Sequence, residues 1–412
     1  MLKAFAFVLV SGIVHWILLW WVERNFTAMR RYRRRTAAFI AIVLASILVV
    51  RSLTLRHIHV PSVITAGLMV EVVFVAVLTL PLILSQLLIG IGWVIGETVF
   101  GVWRRARRPK WVPETIVPPA NVLTIVPGVP SPPLTRRQVL ERSVGLTLMG
   151  TTGSVLLWGA ARGRLDFHVE EVVVRIAGLP RALEGYTIAQ ISDLHVGAFV
   201  GDEHLHAGFE HVKRIKPDLV VATGDLVDHD TAYVRKMADA LASLKGDARD
   251  GVAAILGNHD HYTGADIVET ALRDVGIRAL INEGWHVRPH DGGGFALLGV
   301  DDLTALEIRT RTCSLPRALR MVPDRLPTIL LSHQPDSVDL WHGRVMLQLS
   351  GHIHGGQINP GFSVARGLLK YVAGRYQVGS TTLYVNRGFG TSGVPSRVGA
   401  PPEVTKIVLI AG

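Results

Sequence analysis

Thr187-Ile188-Ala189-Gln190-Ile191-Ser192-Asp193-Leu194-His195 reads as a short apolar strand that ends on a carboxylate and an imidazole two positions apart. The same arrangement recurs down the chain. Leu219–Thr223 runs into Gly224-Asp225-Leu226-Val227-Asp228, and Val252–Leu256 runs into Gly257-Asn258-His259-Asp260. Thr328–Ser332 leads to His333, and Val345–Ser350 leads to Gly351-His352-Ile353-His354-Gly355-Gly356. In an open α/β sheet the carboxyl ends of the strands form the ligand crevice. Five polar clusters at five strand ends are therefore expected to converge on one point in space.

Carboxylates, imidazoles and one amide oxygen suit hard-to-borderline divalent cations. Gly224, Gly257 and Gly351 precede the ligands and are expected to let the backbone turn sharply there. His352 and His354, two apart in an extended segment, are expected to point the same way. Two ions close together need a shared ligand, and a carboxylate with two oxygens serves.

Further strands are expected at Val169–Ile176, Phe295–Val300, Thr382–Val385 and Val404–Ile410. Helices are expected near Asp202–Ile215, Ala232–Leu244, Ala265–Val275 and Leu315–Met321. Strand and helix alternate at first and strands dominate later, which predicts a layered α/β sandwich around mixed sheets.

Residues 187–390 resemble the calcineurin-like metallophosphoesterase family, whose blocks D-x-H, G-D-x-x-D, G-N-H-D/E, a lone His and G-H-x-H all occur here in order. The resemblance implies a four-layer α/β/β/α domain over 162–412 with two divalent ions, from among Mn, Fe, Zn, Ni and Mg. Asp193, His195 and His354 would hold one ion, Asn258, His333 and His352 the other, and Asp225 would bridge. His259 would protonate the leaving oxygen or stabilise the transition state, oriented by Asp260. Asp228 would stand outside the ligands or on a surface loop. The reaction implied is in-line attack on phosphorus by a hydroxide bridging the ions.

Ser332–Asp336, Gly351–Gln357 and Asn386-Arg387-Gly388-Phe389-Gly390 resemble a narrower, membrane-associated bacterial group. Some of its relatives hydrolyse UDP-2,3-diacylglucosamine or similar lipid-linked diphosphates, so a phosphoester substrate carried on a lipid is the expectation. Arg387 and His261 lie near the expected crevice and are candidates for phosphate contact. His204, His206, His211, His229, His286, His290 and His342 lack ligand spacing and read as surface or satisfied histidines. The rival readings are a phosphodiesterase acting on another substrate and a metal-bound membrane sensor without turnover.

The N-terminal part has a different character. The chain has 412 residues, 49% of them hydrophobic and 18% charged. Before Arg162 there are 17 Lys and Arg against 5 Asp and Glu; from there on there are 26 against 28. The catalytic part is near neutral, which argues against a nucleic-acid-binding face, and the excess charge flanks apolar stretches. Those stretches lie near 4–22, 37–55, 64–95 and 143–161, and about 20 apolar residues span a bilayer. Basic clusters at Arg24–Arg35, Arg104–Lys110 and Arg136–Arg142 predict a cell-membrane, multi-pass protein with four crossings, all three clusters in the cytoplasm and the domain outside it. The stretch 64–95 contains Pro81 and reads as one tilted helix or two short spans. Arg136-Arg137 resembles a twin-arginine export signal or serves as a plain anchor flank. A Pro-rich linker is expected over 109–133, and the membrane region over 1–161. Glu71 and Glu97 read as packing or interfacial groups. Cys313 is the only cysteine, so no intrachain disulfide forms.

Overall fold

The computed structural model describes residues 2–55, 62–106, 134–287, 293–307, 311–359, 361 and 363–412. The Pro-rich 109–133 stretch, Lys110 included, with Arg107 and Arg108 beside it, and His290 lie outside the described residues. The chain divides into two compact units, residues 1–45 with 74–154 and residues 46–73 with 155–412.

The N-terminal helices are α1 (Leu2–Asn25), α2 (Arg33–Leu55), α3 (Ser62–Ala106) and α4 (Arg136–Ala161). The α3 helix runs unbroken through Pro81. Among the described residues two helical stretches are long and apolar enough to cross a bilayer, Val70–Phe100 and Arg136–Leu165. Inside the first unit the buried Glu141 carboxylate pairs with Arg24 at 3.2 Å and Arg137 at 2.8 Å. Gly145 leaves room for the Trp21 ring, which an added Cβ would overlap.

The second unit carries two six-stranded mixed sheets. Its elements begin with β1 (His168–Ile176), β2 (Thr187–Ile191), α5 (Asp202–Ile215), β3 (Leu219–Thr223), α6 (Val234–Ala242) and β4 (Val252–Ile255). They continue with α7 (Asn258–Thr263), α8 (Ala265–Asp274), β5 (Arg278–Ala279), β6 (Glu283–Val287), β7 (Phe295–Gly299), α9 (Thr304–Glu307) and α10 (Leu315–Leu319). The rest are β8 (Thr328–Leu331), α11 (Val338–Trp341), β9 (Leu347–Ser350), α12 (Val364–Leu368), β10 (Gly374–Val378), β11 (Thr381–Val385) and β12 (Glu403–Ala411). The first sheet has the order β1-β12-β2-β3-β4-β5 and the second β10-β11-β9-β8-β7-β6. Strands β2, β3, β4 and β5 are mutually parallel, as are β7, β8, β9 and β11.

Burial on both faces explains why these strands read as continuous apolar runs. Along β3, Leu219 and Val221 face the layer between the sheets, whereas Val220 and Ala222 face the helices. The inter-sheet layer joins Ile188 and Ile255 of the first sheet to Leu297, Ile329 and Leu349 of the second. Phe209 of α5, Met237 of α6 and Leu272 of α8 cover the outer face of the first sheet. Leu315 and Ala318 of α10, with Trp341, cover that of the second. Each fully buried aliphatic side chain contributes roughly 1.5–3 kcal/mol. This is the expected four-layer sandwich. The expectation missed β5, β6 and β10, a two-residue pairing and two strands at or near sheet edges with half-polar patterns.

Candidate metal centre

The site forms where parallel strands of both sheets end. The loops after β2, β3 and β4 come from one sheet and those after β8 and β9 from the other, so the crevice lies across the two sheets rather than at the edge of one. Asp193, His195, Asp225, His352 and His354 all adopt left-handed backbone, with φ between 48° and 75°. Non-glycine residues seldom adopt it, and such strain collects where function needs a fixed geometry.

The glycines act for two separate reasons. Gly224 has φ of +89°, the sharp turn expected. Gly257 is extended, and its role is space: a Cβ there would lie 2.3 Å from Asp225 Oδ1. Gly351 is also needed for room, since its Cβ would lie 1.9 Å from Ser192 Oγ and 2.2 Å from Asp193 Oδ2. The expectation of a turn at those two positions is corrected to close approach of neighbouring loops.

Asp193, His195 and His354 form one group of potential ligand atoms, and Asp225, His333 and His352 another. In the first, His195 Nε2 lies 3.1 Å from His354 Nε2, which is 3.4 Å from Asp193 Oδ1. In the second, His333 Nε2 lies 3.2 Å from His352 Nδ1, 3.2 Å from Asn258 Oδ1 and 3.3 Å from Asp225 Oδ2. The same Asp225 Oδ2 is 3.6 Å from His195 Nε2, so one oxygen reaches both groups. Its Oδ1 accepts from the His259 amide at 2.8 Å.

These separations test the fit to cations. Ligands about 2.1 Å from an ion and at right angles stand about 3.0 Å apart, close to the spacings found. The donor set is imidazole, carboxylate and amide oxygen, suited to divalent metals. His333 Nδ1 donates to the Thr223 carbonyl at 2.8 Å, leaving the Nε2 lone pair directed inward. Asp193 accepts the His352 amide at 2.9 and 3.1 Å. His354 differs: its Nδ1 stands 3.2 Å from Nη2 of the buried Arg397, a group that only donates.

His259 stands beside the first group, its ring 4.6 Å from that of His195. Its partner corrects the expectation. Asp228 Oδ1 lies 3.0 Å from His259 Nδ1 and 3.6 Å from His195 Nδ1. Asp260 is instead spent on backbone, accepting from Gly257, Leu226 and Val227 at 2.8–3.1 Å. Asp260 therefore staples the loop after β3 to that after β4, and Asp228 orients the imidazole. Burial pulls His259 towards the neutral form, but the Asp225 charge and the bond to Asp228 outweigh it and raise its pKa. Burial and the nearby Asp225 push Asp260 up to about 6.

Arg387 is a second correction. Its guanidinium pairs with Glu403 at 3.0 Å and Glu170 at 2.7 Å, so its charge is compensated within the protein. His261 also turns inward, bonded to Asp301 at 2.7 Å with both side chains buried. His229, read as a bland histidine, is not one: its ring lies 4.3 Å from His259 and stacks with Tyr262. Its position directly after Asp228 was the available signal. Arg397 carried no motif and was missed. His204 is buried, bonded to the Phe389 carbonyl at 2.9 Å.

The calcineurin-like phosphoesterase family profile matches residues 186–356. The metallophosphoesterase YkuE of Bacillus subtilis, itself uncharacterized, is 33% identical over 286 residues, covering 67% of this chain and 98% of that protein. An uncharacterized metallophosphoesterase of Helicobacter pylori strain J99 is 31% identical, covering 64% of this chain and 69% of the other. A transmembrane protein with metallophosphoesterase domain from Danio rerio is 33% identical over 63% of this chain, which spans 61% of that protein's length. The chain belongs to the calcineurin-like metallophosphoesterases, a family of metal-dependent hydrolases.

Proposed function

We propose that this chain is a two-metal phosphoester hydrolase held in the membrane by its N-terminal helices, with a catalytic domain that starts near Arg162. The observation that carries the reading is Asp225 Oδ2, at 3.6 Å from His195 Nε2 and 3.3 Å from His333 Nε2. Asp193, His195 and His354 would hold one divalent ion, Asn258, His333 and His352 the other, with Asp225 between. Such a pair supplies an activated water and neutralises charge on the phosphoryl group. His259 donates its Nδ1 proton to Asp228 and presents Nε2 to the leaving oxygen. Its raised pKa keeps the proton available, and a placed acid of this kind contributes roughly 10²–10⁴-fold. Asp260 keeps the two loops in register, which would fix His259 relative to the residues that would hold the ions.

The apolar helices and the basic clusters beside them favour four crossings with the domain outside the cytoplasm. An anchored hydrolase suits an amphiphilic substrate, a lipid-linked phosphate or diphosphate such as UDP-2,3-diacylglucosamine. The test uses the full chain in detergent, loaded in turn with Mn²⁺, Fe²⁺, Zn²⁺, Ni²⁺ or Mg²⁺. Hydrolysis is measured on bis-p-nitrophenyl phosphate, p-nitrophenyl phosphate and nucleotide-linked lipids. Turnover of the lipid well above the generic esters supports the substrate reading. No hydrolysis with any metal sinks the enzymatic one.

A further inference from the structure

The last turn of α4 and the short turn after it lie directly on the loop that approaches the metal centre. A Cβ on Gly159 would stand 2.3 Å from Ser396 Oγ and 2.8 Å from the Arg397 carbonyl, and one on Gly163 2.2 Å from the same carbonyl. Ser396 Oγ donates to the Leu156 carbonyl at 3.0 Å, and the Arg397 amide to the Gly159 carbonyl at 3.3 Å. Two glycines four positions apart thus let the helix end pack backbone to backbone. The other end of Arg397 reaches His354. Val398 pairs with Ile358, which leads back to Gly356, and Gly356 packs against Ala365 of α12.

This continuous flank exposes large apolar groups at both of its ends. Leu157 and Trp158 are 70% and 54% exposed; on α12 and just past it, Val364, Leu368 and Leu369 are 58%, 78% and 44% exposed. Arg162 and Arg366 stand exposed beside them. Apolar side chains contiguous with a candidate span, a Trp at its end and flanking arginines are what a surface seated in the headgroup layer presents.

We propose that this flank, from the end of α4 through α12, is a bilayer-contact surface that holds the metal centre at headgroup height. The proposal rests on the membrane reading above and deepens it. A lipid's phosphoester would then meet the ions while its tails remain in the membrane. The occupant is the lipid bilayer itself; a second copy of this chain is the competing outcome.

The test uses the full chain with Cys313→Ser, reconstituted into phosphatidylcholine vesicles. A bimane label is placed by Leu368→Cys and, as control, by Met321→Cys, which is exposed beyond α10 on the β6 side of the second sheet. Lipids with a nitroxide near the headgroup are expected to quench the label at 368 several-fold more than that at 321. Equal quenching overturns the proposal, as does an unlabelled Leu368→Cys protein that oxidises to a disulfide-linked dimer in the vesicles while its bimane form is not quenched by the lipid. A second arm compares Val364→Glu with Leu368→Glu, singly and combined, on two diesters. Turnover of soluble bis-p-nitrophenyl phosphate is expected to be unchanged, and that of p-nitrophenyl hexadecyl phosphate in vesicles to fall about tenfold. A parallel fall on both esters removes the surface's special role. If neither ester is cleaved by the unmodified chain, the catalytic reading fails while the quenching result still decides the surface.

Discussion

The two halves of the centre are built differently. In the Asp193, His195 and His354 half every residue has left-handed backbone; in the Asn258, His333 and His352 half only His352 does. The second half has a ligand tautomer set for a cation, since His333 gives its Nδ1 proton to a backbone carbonyl. The first half differs at His354, whose Nδ1 faces a guanidinium, a group that only donates. A cation held by His354 would lie near the buried Arg397 charge. The two groups of candidate ligands therefore differ in what packs behind them, and Asp225 Oδ2 reaches both.

The largest expected effect removes the joint. Asp225→Asn keeps the shape and halves the bridge, and kcat is expected to fall at least ~10³-fold with both subsites weakened. Retention of two metals and near-normal turnover in that variant would break the comparison at its root. Next come the two aspartates near His259. Asp228→Asn is expected to lower kcat about 10²-fold with little change in melting temperature, because it loosens the imidazoles of His259 and His195 and no backbone contact between the two loops. Asp260→Asn should chiefly lower the melting temperature, since three backbone amides lose a charged acceptor. Interchanged phenotypes would restore Asp260 as the orienting group.

Acid is expected to act on the first half through its neighbour His204. Burial lowers the pKa of His204 from 6.5 to about 4 despite its bond to the Phe389 carbonyl. Between those values the unfolded chain takes up a proton that the folded chain refuses, so stability falls as pH drops through that window and is level above it. The loss is about 2 kcal/mol from about pH 7 to pH 5. The Phe389 and Gly390 amides donate to the carbonyls of Ser192 and Asp193, which ties this event to the first half. His204→Gln should flatten the melting-temperature profile across that range; an unchanged slope would remove His204 as its cause.

The smallest effect concerns occupancy. Titration with a chelator is expected to empty the first half before the second, with apparent affinities about tenfold apart, followed by Co²⁺ absorption. Arg397→Gln, which removes the charge, should narrow that gap and lower the melting temperature as the bonds to the Gly390, Arg387 and Ala400 carbonyls weaken. A gap unaltered by the substitution would assign the asymmetry to backbone strain instead.

Much of this was legible before any coordinates. Short polar blocks, each at the end of an apolar strand, are local information: strand periodicity and side-chain type suffice to mark the five clusters, and the family resemblance singles out Asp193, His195, Asp225, Asn258, His333, His352 and His354 within them as candidates. The helix over Asp202–Ile215 was equally plain, from its amphipathic pattern and acidic first turn. What only the folded chain decided are contacts between segments far apart along it. Asp228 rather than Asp260 reaches His259 because Asp260 points at three amides of two loops. Arg387 is neutralised by Glu170, 217 positions away, and no neighbouring residue announces that pairing. Gly257 and Gly351 are glycine because another loop's carboxylate occupies the space of their Cβ. Ligand identity is carried by residue type, whereas ligand orientation and charge depend on what packs behind each side chain, which is settled only when the two sheets close on each other.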